Sequence, residues 1–207
     1  MPNKSSCITY NSRMAIEGLS YDGRGTRTRA RILAATAGLL VGDSRGVTVS
    51  AIARAAGVYP NLITHHFGSK DRLVLDAAFA LFLRDTTRLQ AAGRKAQTPE
   101  AFRRTLARTA LAMPSTPLVV QALAAARGHA ELQERGRMLL AVLFRQSEKY
   151  LDRILQANAW TTANGSARDA RTFWSAVFGA TLLADAGVSG GPSDLDLAGT
   201  LAISGSS

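Results

Sequence analysis

Two short helical segments separated by a single glycine lie within residues 47–73, and no other feature of the sequence constrains the fold as much. In the first segment, Ala53 and Ala56 are small enough for a second helix to approach closely. Gly57 follows, and glycine readily adopts the positive φ angle that a sharp turn between helices requires. Pro60 suits the start of the second segment, because the first turn of a helix has no use for the N–H that proline lacks. The pattern predicts two short helices around a tight turn, either a helix-turn-helix or an ordinary corner between helices.

The rest of the chain also favours helices. Apolar residues make up 46% of the 207 residues, proline is scarce, and the alternating β-branched runs typical of strands are missing. We therefore predict an all-α protein of about nine helices, the first from about Thr26 to Val41 and the last from Ser193 to about Ile203. The others are expected over about residues 49–56, 60–67, 70–92, 98–113, 117–127, 130–159 and 167–186.

Positive charge is concentrated near the N-terminus. The formal net charge is +10, and residues 1–70 carry nine Lys or Arg against three Asp or Glu. Residues 1–25 are rich in Ser, Asn, Gly and Thr and are expected to form a flexible basic arm. A basic excess at one end suits a polyanionic partner, although a general contribution to solubility explains it equally well.

Several classes of protein are disfavoured by what the sequence lacks. The only cysteine, Cys7, excludes a disulfide within the chain and fits a reducing cytoplasm. No apolar stretch reaches the roughly 18 residues of a membrane span, and the N-terminus lacks the apolar core of a signal peptide, so we expect a cytoplasmic protein without a membrane partner.

No enzyme, cofactor or metal site is predicted either. The nucleophile-elbow, Walker and zinc-protease motifs are absent, so the sequence predicts neither an enzyme nor a cofactor. His65 and His66 are neighbours on a helix and point about 100° apart, so they do not form a pair of metal ligands by themselves. His129 has no nearby Cys or His.

Three groups of residues resemble the DNA-binding domain of the TetR family. They are Arg31-Ile-Leu-Ala-Ala, then Val49-x-x-Ile52-Ala53-x-x-Ala56-Gly57-Val58, and then His66-Phe67-x-Ser69-Lys70-x-x-Leu73. The resemblance is specific over residues 26–75, and beyond them it is limited to the number and length of the helices. It implies a helix-turn-helix DNA-binding domain over residues 26–72 and a helical ligand-binding and dimerisation domain over residues 73–207.

The resemblance also implies which residues meet DNA. The start of the second helix of the motif faces the bases, and the positions after it and around it contact phosphates. The residues carried over in this way are Arg27, Thr48, Ser50, Tyr59, Pro60, Asn61, Leu62, Thr64, His65, His66 and Lys70.

The base-facing residues of this chain depart from the family's pattern. The family often has Ser or Thr where Tyr59 stands and a tyrosine where Thr64 stands. The helix has no Arg or Lys, the commonest readers of guanine, whereas Asn61 suits adenine and Leu62 and the Tyr59 ring suit the thymine methyl group. We therefore predict a preference for A·T pairs at the positions that this helix touches.

Four arginines precede or open the first helix, namely Arg24, Arg27, Arg29 and Arg31. One interpretation is a solvated basic face. The other is that they belong to an arm that binds phosphates or enters the minor groove.

The C-terminal part is expected to sense a small molecule and to form the dimer. The ligand-binding candidates are Phe102, Leu106, Met113, Gln121, His129, Met138 and Phe144. The candidates for the dimer interface, on the helix over 167–186, are Phe173, Trp174, Val177, Phe178, Thr181 and Leu182, joined by a last helix bearing Leu195, Leu197, Leu201 and Ile203. For both sets, packing in the protein's own core is the alternative.

The residues and the resemblance together favour a repressor that binds a palindromic operator in double-stranded DNA as a homodimer and is released by a small-molecule effector. Activation in place of repression stays open. A helical ligand-binding protein or enzyme with a non-functional DNA-binding domain, and an architectural DNA-binding protein without a ligand, are the alternatives from other classes.

Overall fold

A computed structural model describes residues 23–42, 47–188 and 196–205, and it confirms the all-α fold class. These residues form eight α-helices, close to the number predicted. The helices are α1 (Gly23–Gly42), α2 (Val49–Ala56), α3 (Asn61–Phe67), α4 (Lys70–Gly93), α5 (Pro99–Leu111), α6 (Thr116–Ala125), α7 (Ala130–Asn158) and α8 (Ser166–Asp185). Two short strands, β1 (Trp160–Thr162) and β2 (Ile203–Gly205), and a 3₁₀ turn over Ala198–Thr200 complete the fold.

Side-chain caps fix where several helices begin. The Oγ1 atom of Thr48 accepts a hydrogen bond from the backbone N–H of Ala51 at 3.1 Å, and Thr98 caps α5 in the same way. Ser69 Oγ accepts from the N–H of Arg72 at 3.1 Å at the start of α4. Each cap satisfies one of the backbone donors that a helix leaves unpaired in its first turn. The helix starts predicted at these three residues are confirmed.

The N-terminal helix begins earlier than predicted, at Gly23 and not at about Thr26. Apart from residues 23–25, the predicted arm lies outside the described residues, as does Cys7.

The chain divides into two compact units, the first ending at Arg84 and the second beginning at Asp85. Each unit has its own apolar core. The first is built on Ile32, Ile52, Ile63, Phe67, Leu73, Phe79 and Phe82, and the second on Phe102, Val119, Leu143, Trp174, Val177, Leu197 and Leu201.

The prediction of a last helix ending at Ile203 is wrong for residues 196–205. These residues form the 3₁₀ turn and then β2, which pairs antiparallel with β1 in the register Trp160↔Gly205 and Thr162↔Ile203. The loop predicted from Thr161 is therefore partly strand. The apolar spacing of Leu197, Leu201 and Ile203 resembles a helix, but all three are buried in the second unit, and β1 supplies the strand partner of Ile203. The predicted cap Ser193 and the interface residue Leu195 lie outside the described residues.

None of the helices in the described ranges is both long enough and apolar enough to span a membrane.

Candidate nucleic-acid interface and effector cavity

Helices α2 and α3 pack around a left-handed glycine. Gly57 has φ +61° and ends α2, and the N–H of Val58 returns to the carbonyl oxygen of Ala53 at 3.0 Å. Ala53 and Ala56 are buried on one side of the turn, while Ile63 and Phe67 anchor α3 on the other. The predicted helix-turn-helix is therefore present, with its second helix shorter by one residue because Pro60 serves as the N-cap.

The base-facing candidates lie on the opposite side of α3 from Ile63 and Phe67. Tyr59 is 80% exposed, and Pro60, Asn61 and Thr64 are also exposed, whereas Leu62 is half-buried. Such a face is polar and aromatic and carries no lysine or arginine. The hydrogen-bonding groups that it offers are one phenol, one amide and one hydroxyl.

The phosphate-contacting candidates surround this face at the helix starts. Thr48 and Ser50 at the beginning of α2, Arg27 in α1 and His65 in α3 are exposed, while His66 is half-buried. Lys70 opens α4, where its ammonium group lies 3.8 Å from the carboxylate of Asp71 and both side chains are largely exposed. A cation beside a helix N-terminus attracts phosphate oxygens.

Arg31 of α1 holds the turn of the motif. Its Nη2 atom donates hydrogen bonds to the carbonyl oxygens of Ala56 at 2.5 Å and Gly57 at 3.0 Å. These carbonyls end α2 and have no partner further along the helix, so a guanidinium group satisfies them and fixes α2 against α1.

Arg29 of α1 holds the other end of the motif. Its guanidinium group donates to the carbonyl oxygen of His66, lies 4.0 Å from the centre of the Phe67 ring and pairs with the buried carboxylate of Asp76 at 3.3 Å. One side chain therefore joins α1, the last turn of α3 and α4.

The sequence interpretations missed this role of Arg29 and Arg31, which were assigned either to a solvated face or to a DNA-binding arm. A signal was present for Arg29. Buried Ile32 and Thr36 follow it at helical spacing, so the periodicity of α1 already puts Arg29 on the core-facing side. The side chain of Arg24 lies outside the described residues, and Arg27 is exposed.

Burial lowers the pKa of His66 below its ordinary value of 6.5, and the positive charges of His65 and Arg29 lower it further. The rings of His65 and His66 lie 5.0 Å apart, edge to face. The His66 side chain is therefore neutral at physiological pH in the free protein. In the described ranges no three His, Cys, Asp or Glu side chains cluster as metal ligands would.

The second unit contains a small cavity of about 20 Å³, enough for one water molecule. Trp174 Nε1 donates to Ser147 Oγ at 2.7 Å at its wall, and the Tyr150 hydroxyl donates to the carbonyl oxygen of Gln90 at 3.1 Å. Burial raises the pKa of Tyr150 to about 12, so this phenol stays protonated. The lining residues are Thr86, Leu89, Gln90, Leu106, Ser147, Tyr150, Leu151, Ala170, Phe173, Trp174 and Leu201.

The ligand-binding candidates are spread over the second unit. Leu106 lines the cavity, and Phe102 is buried with its ring centre 6.2 Å from that of Tyr150. Met113 is buried and Phe144 is half-buried under the guanidinium group of Arg171, but neither lines the cavity. The remaining three candidates, Gln121, His129 and Met138, are exposed.

The dimer-interface candidates on α8 divide into two sets. Phe173, Trp174, Val177 and Thr181 are buried within their own unit, as expected if they pack in the protein's own core. Phe173 and Trp174 also line the cavity. Phe178 is half-buried and stacks on Trp174 with ring centres 6.2 Å apart, and Leu182 is 55% exposed.

A helix-turn-helix with an exposed second helix is typical of DNA-binding transcriptional regulators. Two family models cover both parts: bacterial regulatory proteins of the tetR family over residues 32–77, and the bacterial transcriptional repressor C-terminal domain over residues 99–202. The chain therefore belongs to the TetR family of transcriptional regulators.

Solved structures show the same fold. A proposed transcriptional regulator from Rhodococcus sp. RHA1 is 29% identical, with a TM-score of 0.69 over 83% of this chain and 92% of that one. The reduced form of NemR from E. coli is 16% identical, with a TM-score of 0.57 over 84% of this chain and 95% of that one. A TetR transcription regulator from Haloarcula marismortui is also 16% identical, with a TM-score of 0.54 over 84% and 93%. No curated protein matches this chain in sequence.

Proposed function

We propose that this regulator is a repressor that binds a palindromic operator as a homodimer and leaves the operator when a small molecule binds the second unit. The observation that carries the proposal is the exposed start of α3, with Tyr59, Asn61 and Thr64 on its surface. From α1, Arg31 holds the turn that precedes α3, and Arg29 holds the last turn of α3. A short helix held in this way keeps its orientation when it enters the major groove. Because the operator of a bacterial regulator lies in the cytoplasm, the proposal also assigns the protein to that compartment.

The exposed start of α3 carries no lysine or arginine. We therefore assign the affinity for DNA and the sequence preference to two different sets of residues. Affinity is expected from phosphate contacts at Arg27, Lys70 and the helix starts, since phosphate contacts supply most of the sequence-independent binding energy. Sequence preference is expected from Asn61 and the apolar and aromatic groups near it, which favour A·T pairs.

The operator is tested by selection from random DNA with the full-length protein, followed by mobility shifts on its own upstream DNA. Two half-sites about one helical turn apart, roughly 34 Å, are expected. An Asn61→Ala variant should lose about 5- to 150-fold at one A·T position, equivalent to about 1–3 kcal/mol. A Lys70→Ala variant should weaken binding to all sequences and reduce the salt slope by about one.

Lys95→Ala is the matched control for Lys70, because Lys95 is an exposed lysine of the second unit. Its affinity and salt slope should equal those of the wild type. Selected sites with G·C at every contacted position would contradict the assignment of Asn61. A reporter whose expression falls when the gene is deleted would establish activation in place of repression.

For the homodimer we propose the exposed side of α8, which carries Leu182 and Leu183, 55% and 43% exposed, together with half-buried Phe178. Leu182→Glu places a charge on this surface and should give a folded monomer with weak operator binding, because a palindrome is held tightly only by two joined motifs. A Leu182→Glu variant that stays dimeric in sedimentation would show that the interface lies elsewhere.

For the effector we propose the cavity lined by Tyr150, Phe173 and Trp174. A ligand that prefers one of two dimer states shifts the population toward it, and release follows when the preferred state spaces its recognition helices poorly for DNA.

A further inference from the structure

The wall of the cavity in the second unit holds no charged side chain. Of its eleven lining residues only Tyr150 is ionisable, and its raised pKa keeps it neutral. The other lining residues have aromatic, aliphatic, hydroxyl or amide side chains. A buried ion without a partner has a large desolvation penalty, so an anionic or cationic effector is selected against here.

Two hydroxyl groups at the wall have hydrogen-bonding capacity of opposite kinds. Tyr150 uses its hydrogen to donate to the Gln90 carbonyl, so its oxygen is able to accept. Ser147 uses its oxygen to accept from Trp174, and its own hydrogen is able to donate. A ligand hydroxyl, which donates once and accepts once, matches this pair, and Phe173 and Trp174 supply flat surfaces for a ring.

The free protein has no room for such a ring. About 20 Å³ accommodates one water molecule, whereas cavities that hold benzene have a volume of about 150 Å³. Part of the wall must therefore move before a ligand enters.

The C-terminal segment, residues 196–205, is the part of the cavity lining that does not stand on an α-helix. It contributes Leu201, which is 1% exposed, and it is held by the buried side chains of Leu197, Leu201 and Ile203, by the two-stranded pairing of β1 with β2 and by a 3.5 Å hydrogen bond from Arg103 to the Leu201 carbonyl. Every other lining residue stands on a long helix. Two-stranded ribbons are only marginally stable by themselves, so this segment separates from the wall more readily than a helix does.

We propose that the effector is a small uncharged aromatic molecule carrying a hydroxyl group, and that it enters when the C-terminal segment withdraws Leu201 from the cavity. This inference rests on the proposed function, because it names the chemical class of the effector and the route by which it reaches its site.

Three probes with the same ring system separate the chemical requirements: 2-naphthol, 2-naphthoate and 2-methylnaphthalene. They are titrated into full-length protein carrying Trp160→Phe, so that Trp174 reports binding by its fluorescence. We expect 2-naphthol to quench Trp174 and to bind at least tenfold more tightly than the carboxylate and the hydrocarbon. Equal or tighter binding of 2-naphthoate would overturn the assignment of an uncharged hydroxylated ligand.

Two buried leucines of the second unit provide a matched test of the route. Leu143 in α7 and Leu201 are both 1% exposed, but only Leu201 lines the cavity and belongs to the C-terminal segment. Leu201→Ala should increase the affinity for 2-naphthol about tenfold by enlarging the cavity and loosening the segment, and Leu143→Ala should leave it unchanged. The same change in both variants would overturn the role of Leu201.

A reversible disulfide between β1 and β2 tests the withdrawal of the C-terminal segment without removing any core side chain. Thr161 and Ser204 face each other across β1 and β2 with their hydroxyl oxygens 3.3 Å apart, a geometry that suits a disulfide. In a Cys7→Ser background, the pair Thr161→Cys and Ser204→Cys should slow 2-naphthol association at least tenfold when oxidised and restore the wild-type rate when reduced. Equal rates in the two states would overturn the proposed route.

The tests of this inference can fail independently of the tests of the proposed function. Probe binding is measured without DNA, and operator binding is measured without probe. Loss of probe binding in a protein that still shifts its operator would overturn this inference alone. Probe binding in a protein that selects no DNA would contradict the regulator and leave the cavity chemistry intact.

Discussion

Arg29 in α1 donates a hydrogen bond to the carbonyl oxygen of His66 in the last turn of α3, the recognition helix. The same guanidinium group lies over the Phe67 ring and pairs with Asp76, which is buried in α4. The orientation of the residues proposed to face DNA therefore depends on a side chain that contacts α3 and α4 from α1.

Arg29→Met is expected to destabilise the first unit. It removes the Arg29 guanidinium group from the Asp76 carboxylate, which is 5% exposed, and it removes the donor at the end of α3. Because Arg29 itself is 31% exposed, we expect a loss of about 2 kcal/mol, in the range for a hydrogen-bonded charge and below that of a fully buried pair. Urea unfolding measures the loss, and mobility shifts measure the weaker operator binding that accompanies it.

Arg27→Met is the comparison for this variant, two residues earlier on the same helix. Arg27 is exposed and is proposed to contact phosphate. Its replacement should lower DNA affinity and the salt slope, and it should lower the urea midpoint less than Arg29→Met does. Equal stability losses in the two variants would contradict the bracing role of Arg29.

The pKa of His66 makes the first unit sensitive to acid. Because the folded state lowers this pKa below about 6.5, the unfolded chain binds the proton more readily between the two values. Stability contributed by neutral His66 is therefore present above pH 6.5 and is lost as the pH falls below it. Thermal unfolding between pH 5 and pH 8 should show a smaller decrease on the acid side for His66→Gln than for the wild type, and parallel curves would contradict the assignment.

Gly93 at the end of α4 permits the packing around Tyr150. A Cβ atom at position 93 would overlap the Tyr150 hydroxyl and come within 3.0 Å of Leu106 and Phe102. Gly93→Ala should destabilise the protein by about 1–3 kcal/mol, the usual range for overpacking. Adding Tyr150→Phe removes the overlapping oxygen and should recover part of the melting temperature, whereas additive losses would show that Tyr150 is not the obstacle.

Substitution of Gly179 tests whether a second protomer packs on the proposed dimer face of α8. It is exposed, and a Cβ atom there would meet nothing within 4 Å in its own chain. Within a helix Ala is favoured over Gly by about 1 kcal/mol, so Gly179→Ala should stabilise a single chain. If a second protomer packs closely on this face, the added methyl group should instead weaken the dimer about tenfold in sedimentation.

Gly38→Ala is the control, because Gly38 is exposed on α1 with equally open surroundings. It should raise the melting temperature and leave the dimer unchanged. If the Gly179 variant behaves in the same way, the dimer face does not include this part of α8.

The features that the sequence predicted depend on residues that are close together in the chain. The caps at Thr48, Ser69 and Thr98 and the left-handed turn at Gly57 depend on residues within a few positions of one another, so they are readable from the chain. The spacing of apolar residues likewise indicated the helices and the exposed start of α3, and the motif residues identified the family.

The features that the sequence did not predict depend on contacts between residues that are far apart in the chain. Leu197, Leu201 and Ile203 have helical spacing, but β1 offered Ile203 a strand partner some forty residues away and the core of the second unit buried all three, and so the predicted last helix is absent from residues 196–205. The aromatic residues of α8 are equally suited to an interface or a core, and only the packing of the second unit buried Phe173 and Trp174 against the cavity.

The sequence by itself determined the all-α class, the helix-turn-helix and the residues that start α3, because each follows from propensities and spacings within one helix or turn. Only the tertiary structure decided that Arg29 braces α3 and that Leu201 of the C-terminal segment lines the cavity. Both contacts join residues that are far apart in the chain, and a charge or an apolar side chain does not specify its distant partner until the core has formed.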